Sequence, residues 1–70
     1  MNSKIIITLN EQKYRLTDSI NLIDLLTYLN YNSALIVLEY NKKILPKYNW
    51  NRTFLKLDDN IEIITIVGGG

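Results

Sequence analysis

The sequence contains no cysteine and no histidine. Without cysteine there is no disulfide and no thiol chemistry, and with both residue types missing the usual zinc ligands are gone. The lack of histidine also leaves Ser3, Ser19 and Ser33 with no base to activate them, which excludes a hydrolytic triad within this chain. A small domain without cysteines does not fit a secreted, disulfide-stapled scaffold. Charge of one sign is equally scarce: 8 Lys+Arg stand against 7 Asp+Glu, a formal net charge of +1. Such a balance creates no long-range field, so neither nucleic acid nor a membrane surface is an expected partner. No apolar run has transmembrane length, and Met1-Asn2-Ser3-Lys4 lacks the three-part organisation of a signal peptide. The expectation is a cytoplasmic protein. Frequent Ile, Asn, Lys and Tyr suit an AT-rich genome, and if that genome is an organelle's, the place is the plastid stroma. Proline occurs once, and the three glycines are the last three residues.

What remains is well suited to a small core. Seventy residues, 47% of them hydrophobic, suffice for one domain. A domain of this size buries only about 60% of the surface its unfolded chain would expose, so its patterning must be economical. Lys4 to Leu9 is β-branched and reads as a strand with Ile5, Ile7 and Leu9 facing inward and Ile6 and Thr8 outward. Asn10-Glu11-Gln12 is a polar turn, and Lys13 to Leu16 alternates as a return strand. Asn21 is a good N-cap with Asp24 three positions on, resembling a capping box. Leu22, Leu25, Leu26 and Leu29 follow the spacing of one helical face, predicting a helix over 21–29.

Leu35 to Tyr40 is apolar on both faces, which predicts an interior strand. Asn41-Lys42-Lys43 reads as a solvated turn, Ile44-Leu45 as a short extended piece, and Pro46 should stop pairing because it lacks a donor. Lys47 to Thr53 reads as an irregular loop in which Trp50 is a packing anchor beside Pro46. Phe54, Leu55 and Leu57 are expected as further apolar anchors. Asp58 and Asp59 read as a solvated turn and not as a metal site. Tyr28 and Tyr31 belong at a helix edge, and without a basic groove they are not base-stacking platforms. Ile61 to Val67 is the last strand. Its period places Ile61 and Ile63 on the core face and Glu62, Ile64 and Ile66 on the other. One helix has one stripe to bury and a mixed sheet offers a face to cover it, so the fold class is α+β.

The last strand runs directly into Gly68-Gly69-Gly70. With glycine at about 7% of residues, such a run has a chance on the order of one in three thousand. A frayed end or a cloning remnant is the bland alternative. A chain without Cβ atoms threads a narrow channel, and three extended residues reach about 10 Å. The terminal carboxylate, with a pKa of about 3.5, is ionised at neutral pH and is a poor electrophile. Acyl chemistry there needs activation as a mixed anhydride with a nucleotide. Nothing in this chain resembles a phosphate-binding loop, so that step falls to another protein.

Taken in order, Ile7-Thr8-Leu9-Asn10, Leu22-Ile23-Asp24-Leu25-Leu26, Leu38-Glu39-Tyr40-Asn41, Ile44-Leu45-Pro46-Lys47 with Trp50, Asp59-Asn60-Ile61-Glu62-Ile63 and Val67-Gly68-Gly69-Gly70 resemble the ThiS-type sulfur carriers of thiamin biosynthesis. These belong to the ubiquitin-like β-grasp group. The resemblance covers essentially the whole chain. Two departures stand out: Glu11 where the family often has Gly, and Leu57-Asp58-Asp59 where many members have an Asp-Gly-Asp turn. The resemblance implies a β-grasp domain over 1–67 with a four- to five-stranded mixed sheet and one helix on one face, and a flexible glycine tail over 68–70.

It also implies a role. A ThiF-like enzyme uses ATP to adenylate the carboxylate of Gly70, sulfur from a cysteine desulfurase replaces the adenylate, and a ThiG-like thiazole synthase accepts sulfur from the thiocarboxylate. The chain is then a cosubstrate with no catalytic residue, bound cofactor or metal of its own. Gly68 and Gly69 form its stalk, and Ile64, Ile66 and Val67 form a candidate docking patch, provided no other part of the chain covers that face. Rival readings are a molybdopterin-type carrier, whose members tend to have proline near the tail, a tRNA-thiolation carrier, and a β-grasp binding module without covalent chemistry.

Overall fold

A computed structural model describes residues 5–66. Five strands, β1 (Ile5–Leu9), β2 (Gln12–Leu16), β3 (Ile36–Tyr40), β4 (Lys43–Ile44) and β5 (Asn60–Thr65), form one sheet in the order β2-β1-β5-β3-β4. β1 and β5 are parallel and every other pair is antiparallel. A single helix, α1 (Leu22–Tyr28), supplies Leu22, Leu25 and Leu26 to the core. They pack with Ile7, Leu9, Ile36, Leu38, Trp50, Leu55, Ile61 and Ile63. The mixed sheet with one helix on one face is the α+β architecture expected from the sequence.

α1 is seven residues long, too short to persist alone, and it is held at both ends. At its start Asn21 Oδ1 accepts from the Asp24 N–H at 2.8 Å. The Leu22 N–H reaches Thr53 O and the Leu55 N–H reaches Ile20 O, which ties the cap to the segment before β5. At its end Asn30 has φ 63°, and the Asn30 and Tyr31 N–H groups bond Thr27 O and Leu26 O. That pattern is a Schellman motif with Asn in the place usually taken by glycine.

Both hairpins turn on two residues with positive φ: Asn10 (48°) and Glu11 (69°), then Asn41 (52°) and Lys42 (74°). Paired by Leu9↔Gln12 and Tyr40↔Lys43, these are type I′ turns, in which the second position favours glycine. Gln12 and Lys43 are therefore strand residues and not turn residues. The Glu11 position, where the carriers it resembles often have Gly, is left-handed, and Asp58 at φ 71° occupies the corresponding turn before β5. A Glu11→Gly variant is expected to gain about 0.5–1 kcal/mol in denaturant unfolding, since removing the left-handed penalty outweighs the added freedom of the unfolded chain.

Four further expectations are corrected. Leu35 lies in a short 3₁₀ turn (Ser33–Leu35) and not in β3, because Asn32 caps that turn by accepting from the Ala34 N–H. Lys47–Arg52 is a 3₁₀ segment and not an irregular loop, with Pro46 as its N-cap. Phe54 and Leu57 are not anchors: they are 52% and 57% exposed, while Leu55 between them is buried. Alternation turns Phe54 away from the side on which Leu55 meets the core, and Leu57 lies in the turn with left-handed Asp58, where that alternation has ended.

The last correction is Asp59, which is buried (3% exposed) although its neighbour Asp58 is solvated. Asp59 Oδ2 accepts from Tyr40 Oη–H at 2.6 Å and from the Lys56 N–H at 2.8 Å, and Oδ1 accepts from Asn41 Nδ2–H at 3.1 Å. Lys56 Nζ lies 3.6 Å from Oδ1 and donates to Tyr40 Oη. Burial alone would raise the carboxyl's pKa, but the hydrogen bonds from Tyr40, Asn41 and Lys56 N–H, with the Lys56 charge, hold it below its ordinary 3.8. The unfolded chain therefore takes up the proton first as pH falls. Stability from this group is complete above the ordinary carboxylate pKa and is lost as pH falls through the folded value. Asp59→Asn is expected to lose about 1.5–3 kcal/mol at neutral pH and to flatten the acid limb of the unfolding midpoint between about pH 5 and 2.

Candidate functional site

The sequence places the site at the end of β5, and the structure shows how that end is mounted. β5 lies at the centre of the sheet and is bonded on both sides along its first half. On the β1 side Asn10 N–H donates to Ile61 O at 2.9 Å, and the Ile63 N–H donates to Asn10 Oδ1 at 2.7 Å. The left-handed turn at Asn10 thus ends β1 and lets its side chain finish the ladder. Beyond that point only β3 accompanies β5, through Leu38↔Ile63, Val37↔Ile64 and Ile36↔Thr65. The Ile66 N–H closes this side on Leu35 O at 2.7 Å. The chain is held by β3 up to Thr65 and by the turn before β3 at Ile66, and the Asp59 cluster fixes the strand's start.

Ile61 and Ile63 face the core, as their spacing predicts. Ile64 and Ile66 are 47% and 48% exposed, so among the described residues nothing covers them fully. Ile64 pairs with half-buried Val37, and Glu62 stands directly opposite Glu39 on the same sheet face. Like charges in register cost stability. Ile44, opposite Glu39 on β4, is 67% exposed and extends the apolar strip. Val67, Gly68, Gly69 and Gly70 lie outside the described residues. So the structure brings together Ile64 and Ile66 and adds Val37, Ile44 and the Glu39–Glu62 pair. Sequence reasoning missed these additions because strand register, not spacing along one strand, brings them together.

Trp50 is buried and its Nε1–H donates to Leu45 O at 2.9 Å, which fixes it as an anchor under the loop. Tyr28 is exposed and Tyr31 packs partly against the core. Among the described residues no group of carboxylates could hold a metal ion, and no helix is long and apolar enough to cross a membrane.

The ThiS family model matches residues 3–70, nearly the entire sequence. The chain belongs to the ThiS family. The ycf40 protein of Trieres chinensis is 53% identical to it over 62 residues, covering 89% of this chain and 85% of the relative. That of Porphyra purpurea is 39% identical over 70 residues, covering 100% and 99%. The crystal structure of the thiamine biosynthesis protein ThiS from Geobacter metallireducens superposes with a TM-score of 0.81 at 25% identity, covering 94% of this chain and all of that one. A solution structure of a thiamine biosynthesis protein from the same organism gives 0.74 at 27% identity, covering 100% and 88%. The fold is therefore a ThiS β-grasp. Membership in ThiS makes the chain a small sulfur carrier of thiamin biosynthesis, not an enzyme, whose role is exercised through adenylating and sulfur-transfer enzymes.

Proposed function

We propose that the carboxylate of Gly70 is the group that carries sulfur. A ThiF-like enzyme binds the chain and ATP. The carboxylate oxygen attacks the α-phosphorus, pyrophosphate leaves, and an acyl adenylate forms. A desulfurase takes sulfur from cysteine as an enzyme persulfide, whose outer sulfur displaces AMP to give an acyl disulfide. A thiol such as cysteine then reduces the S–S bond and releases the thiocarboxylate, which a ThiG-like synthase uses to form the thiazole. ATP belongs to the partner, and this chain supplies no catalytic group. Gly68 and Gly69 give the carboxylate a stalk without Cβ atoms. The observation that carries this reading is the mounting of β5: a strand fixed at the centre of the sheet is followed in the sequence, just past Ile66 and Val67, by the glycines. ATP–pyrophosphate exchange by a ThiF-like enzyme tests the first step. Exchange should depend on this chain, and exchange that is indifferent to it would rule the step out.

The docking face is the outer surface of β5 and β3, where Ile64 and Ile66 with Val37 form the apolar centre; Val67, next in the sequence, is assigned to the same patch. Fixing three glycines costs about 1–2 kcal/mol per residue, which contacts of this face must offset. Ile64→Asp is expected to weaken binding to the adenylating enzyme by at least tenfold, about 1.4 kcal/mol. Because the side chain is half exposed, the variant should stay folded and lose about 1–2 kcal/mol of unfolding free energy from apolar burial and strand preference. Titration calorimetry with a parallel denaturation curve reads both; unfolding of the variant, or parental affinity, removes the patch. The ycf40 relatives are plastid-genome proteins, which favours the plastid stroma as the place of action.

A further inference from the structure

The second edge of interest is β2, two strands away from β5. Its free side follows from the ladder on the other side of β1. Thr8 and Asn10 N–H bond Asp59 O and Ile61 O, and Ile6 O accepts from the Asp58 N–H, so the even-numbered residues of β1 face β5. Ile5, Ile7 and Leu9 then bond their partners Leu16, Tyr14 and Gln12. The backbone N–H and C=O groups of Lys13 and Arg15 consequently point away from the sheet, where no strand lies among the described residues.

Concavities flank this edge on both sides. On the helix side a groove of about 440 Å³ runs between β2 and α1, its apolar floor formed by Leu16, Ile20, Leu25 and Leu29, with Tyr14 and Tyr28 at its sides. On the outer side a shallower hollow is lined by Ile6, Lys13, Tyr14 and Arg15. A strand added to β2 would send alternate side chains into each. Those opposite Gln12, Tyr14 and Leu16 fall on the helix side, and those opposite Lys13 and Arg15 on the outer side. Neither Lys13 nor Arg15 has an ion-pair partner among the described residues. Asp18 lies at the groove's edge past the end of β2 and opposes further acidic residues there.

We propose that the free edge of β2 receives an extended segment of a partner protein, alternately apolar and acidic, as a sixth strand. Backbone hydrogen bonds to Lys13 and Arg15 would hold it, apolar side chains would fill the groove over Leu25 and Leu29, and carboxylates would face the two cations. Cationic edge residues also guard a sheet against self-association. Pairing with a second copy about a two-fold axis would set Lys13 and Arg15 of one chain against those of the other, so charge selects an acidic partner over a copy. This edge is separate from the Gly70 chemistry, and its test needs no sulfur transfer.

The probe is a blocked pentapeptide, Val-Glu-Leu-Asp-Val, titrated into the ¹⁵N-labelled chain. The expected result is a saturable shift of the Lys13 and Arg15 amides with slowed hydrogen exchange at both. Lys13→Glu combined with Arg15→Glu should weaken binding at least tenfold, and the peptide with lysines in place of its acids should bind that variant and not the parent. Charge-swap rescue keeps the test decisive if the variant is less stable. Unmoved β2 amides at millimolar peptide would overturn the proposal. So would shifts centred on Ile64, or concentration-dependent shifts of the β2 amides without peptide, which would mean self-pairing.

Discussion

A chain extended by one alanine after Gly70 is expected to unfold at the parental midpoint and to receive neither adenylate nor sulfur. The reacting carboxylate would lie about 3.5 Å further along the chain, and a Cβ would enter a channel sized for glycine. Misplacement of a reacting group by even one ångström costs roughly 100-fold in rate, so the loss should reach at least that. Stability should not respond, because among the described residues the core is complete by Ile63 and the most C-terminal backbone bond is Ile66 N–H to Leu35 O. Turnover by the extended chain at the parental rate would show that the reacting acyl group is not at Gly70.

Trp50→Ala is expected to produce the largest loss of stability, about 3–5 kcal/mol. Trp50 is 2% exposed, and its Nε1–H satisfies Leu45 O. It ties the 3₁₀ segment after Pro46 to the core, and Leu45 N–H in turn bonds Leu38 O of β3. Removing the indole leaves a cavity and an unpaired carbonyl together. At roughly 0.05–0.15 kcal/mol per residue the whole chain has only about 4–10 kcal/mol to lose. Circular dichroism in urea should find the alanine variant largely unfolded or close to it. Trp50→Phe keeps most of the volume and loses the hydrogen bond, so about 1–3 kcal/mol is expected. Equal effects of the two substitutions would mean that packing contributes little at this position.

The α1 face and the core side of β5 were legible because each follows a strong period. Leucines at 22, 25 and 26 and isoleucines at 61 and 63 leave one consistent orientation. Asn21 marked the start of the helix through cap chemistry that is local in sequence. The missed features depend on partners distant in sequence. Asp59 looks solvated until Tyr40 and Asn41 arrive from the second hairpin. Phe54 and Leu57 look buried until Leu55 is seen to occupy the core alone. The outer strip of Val37, Ile44 and Ile64 exists only because β3 sits between β4 and β5. The glycine run was plain in the sequence, whereas its mounting, with Asn10 finishing one ladder and Leu35 the other, was not.

Gly70 is the proposed sulfur-bearing end. Its most direct test is the intact mass of the chain after incubation with ATP, a ThiF-like enzyme, cysteine and a desulfurase. Exchange of one oxygen for one sulfur, located to Gly70 by fragmentation and reversed when a ThiG-like synthase and its substrates are added, is the predicted result. An unchanged mass with enzymes shown to be active on another carrier, or sulfur located anywhere else in the chain, would contradict it.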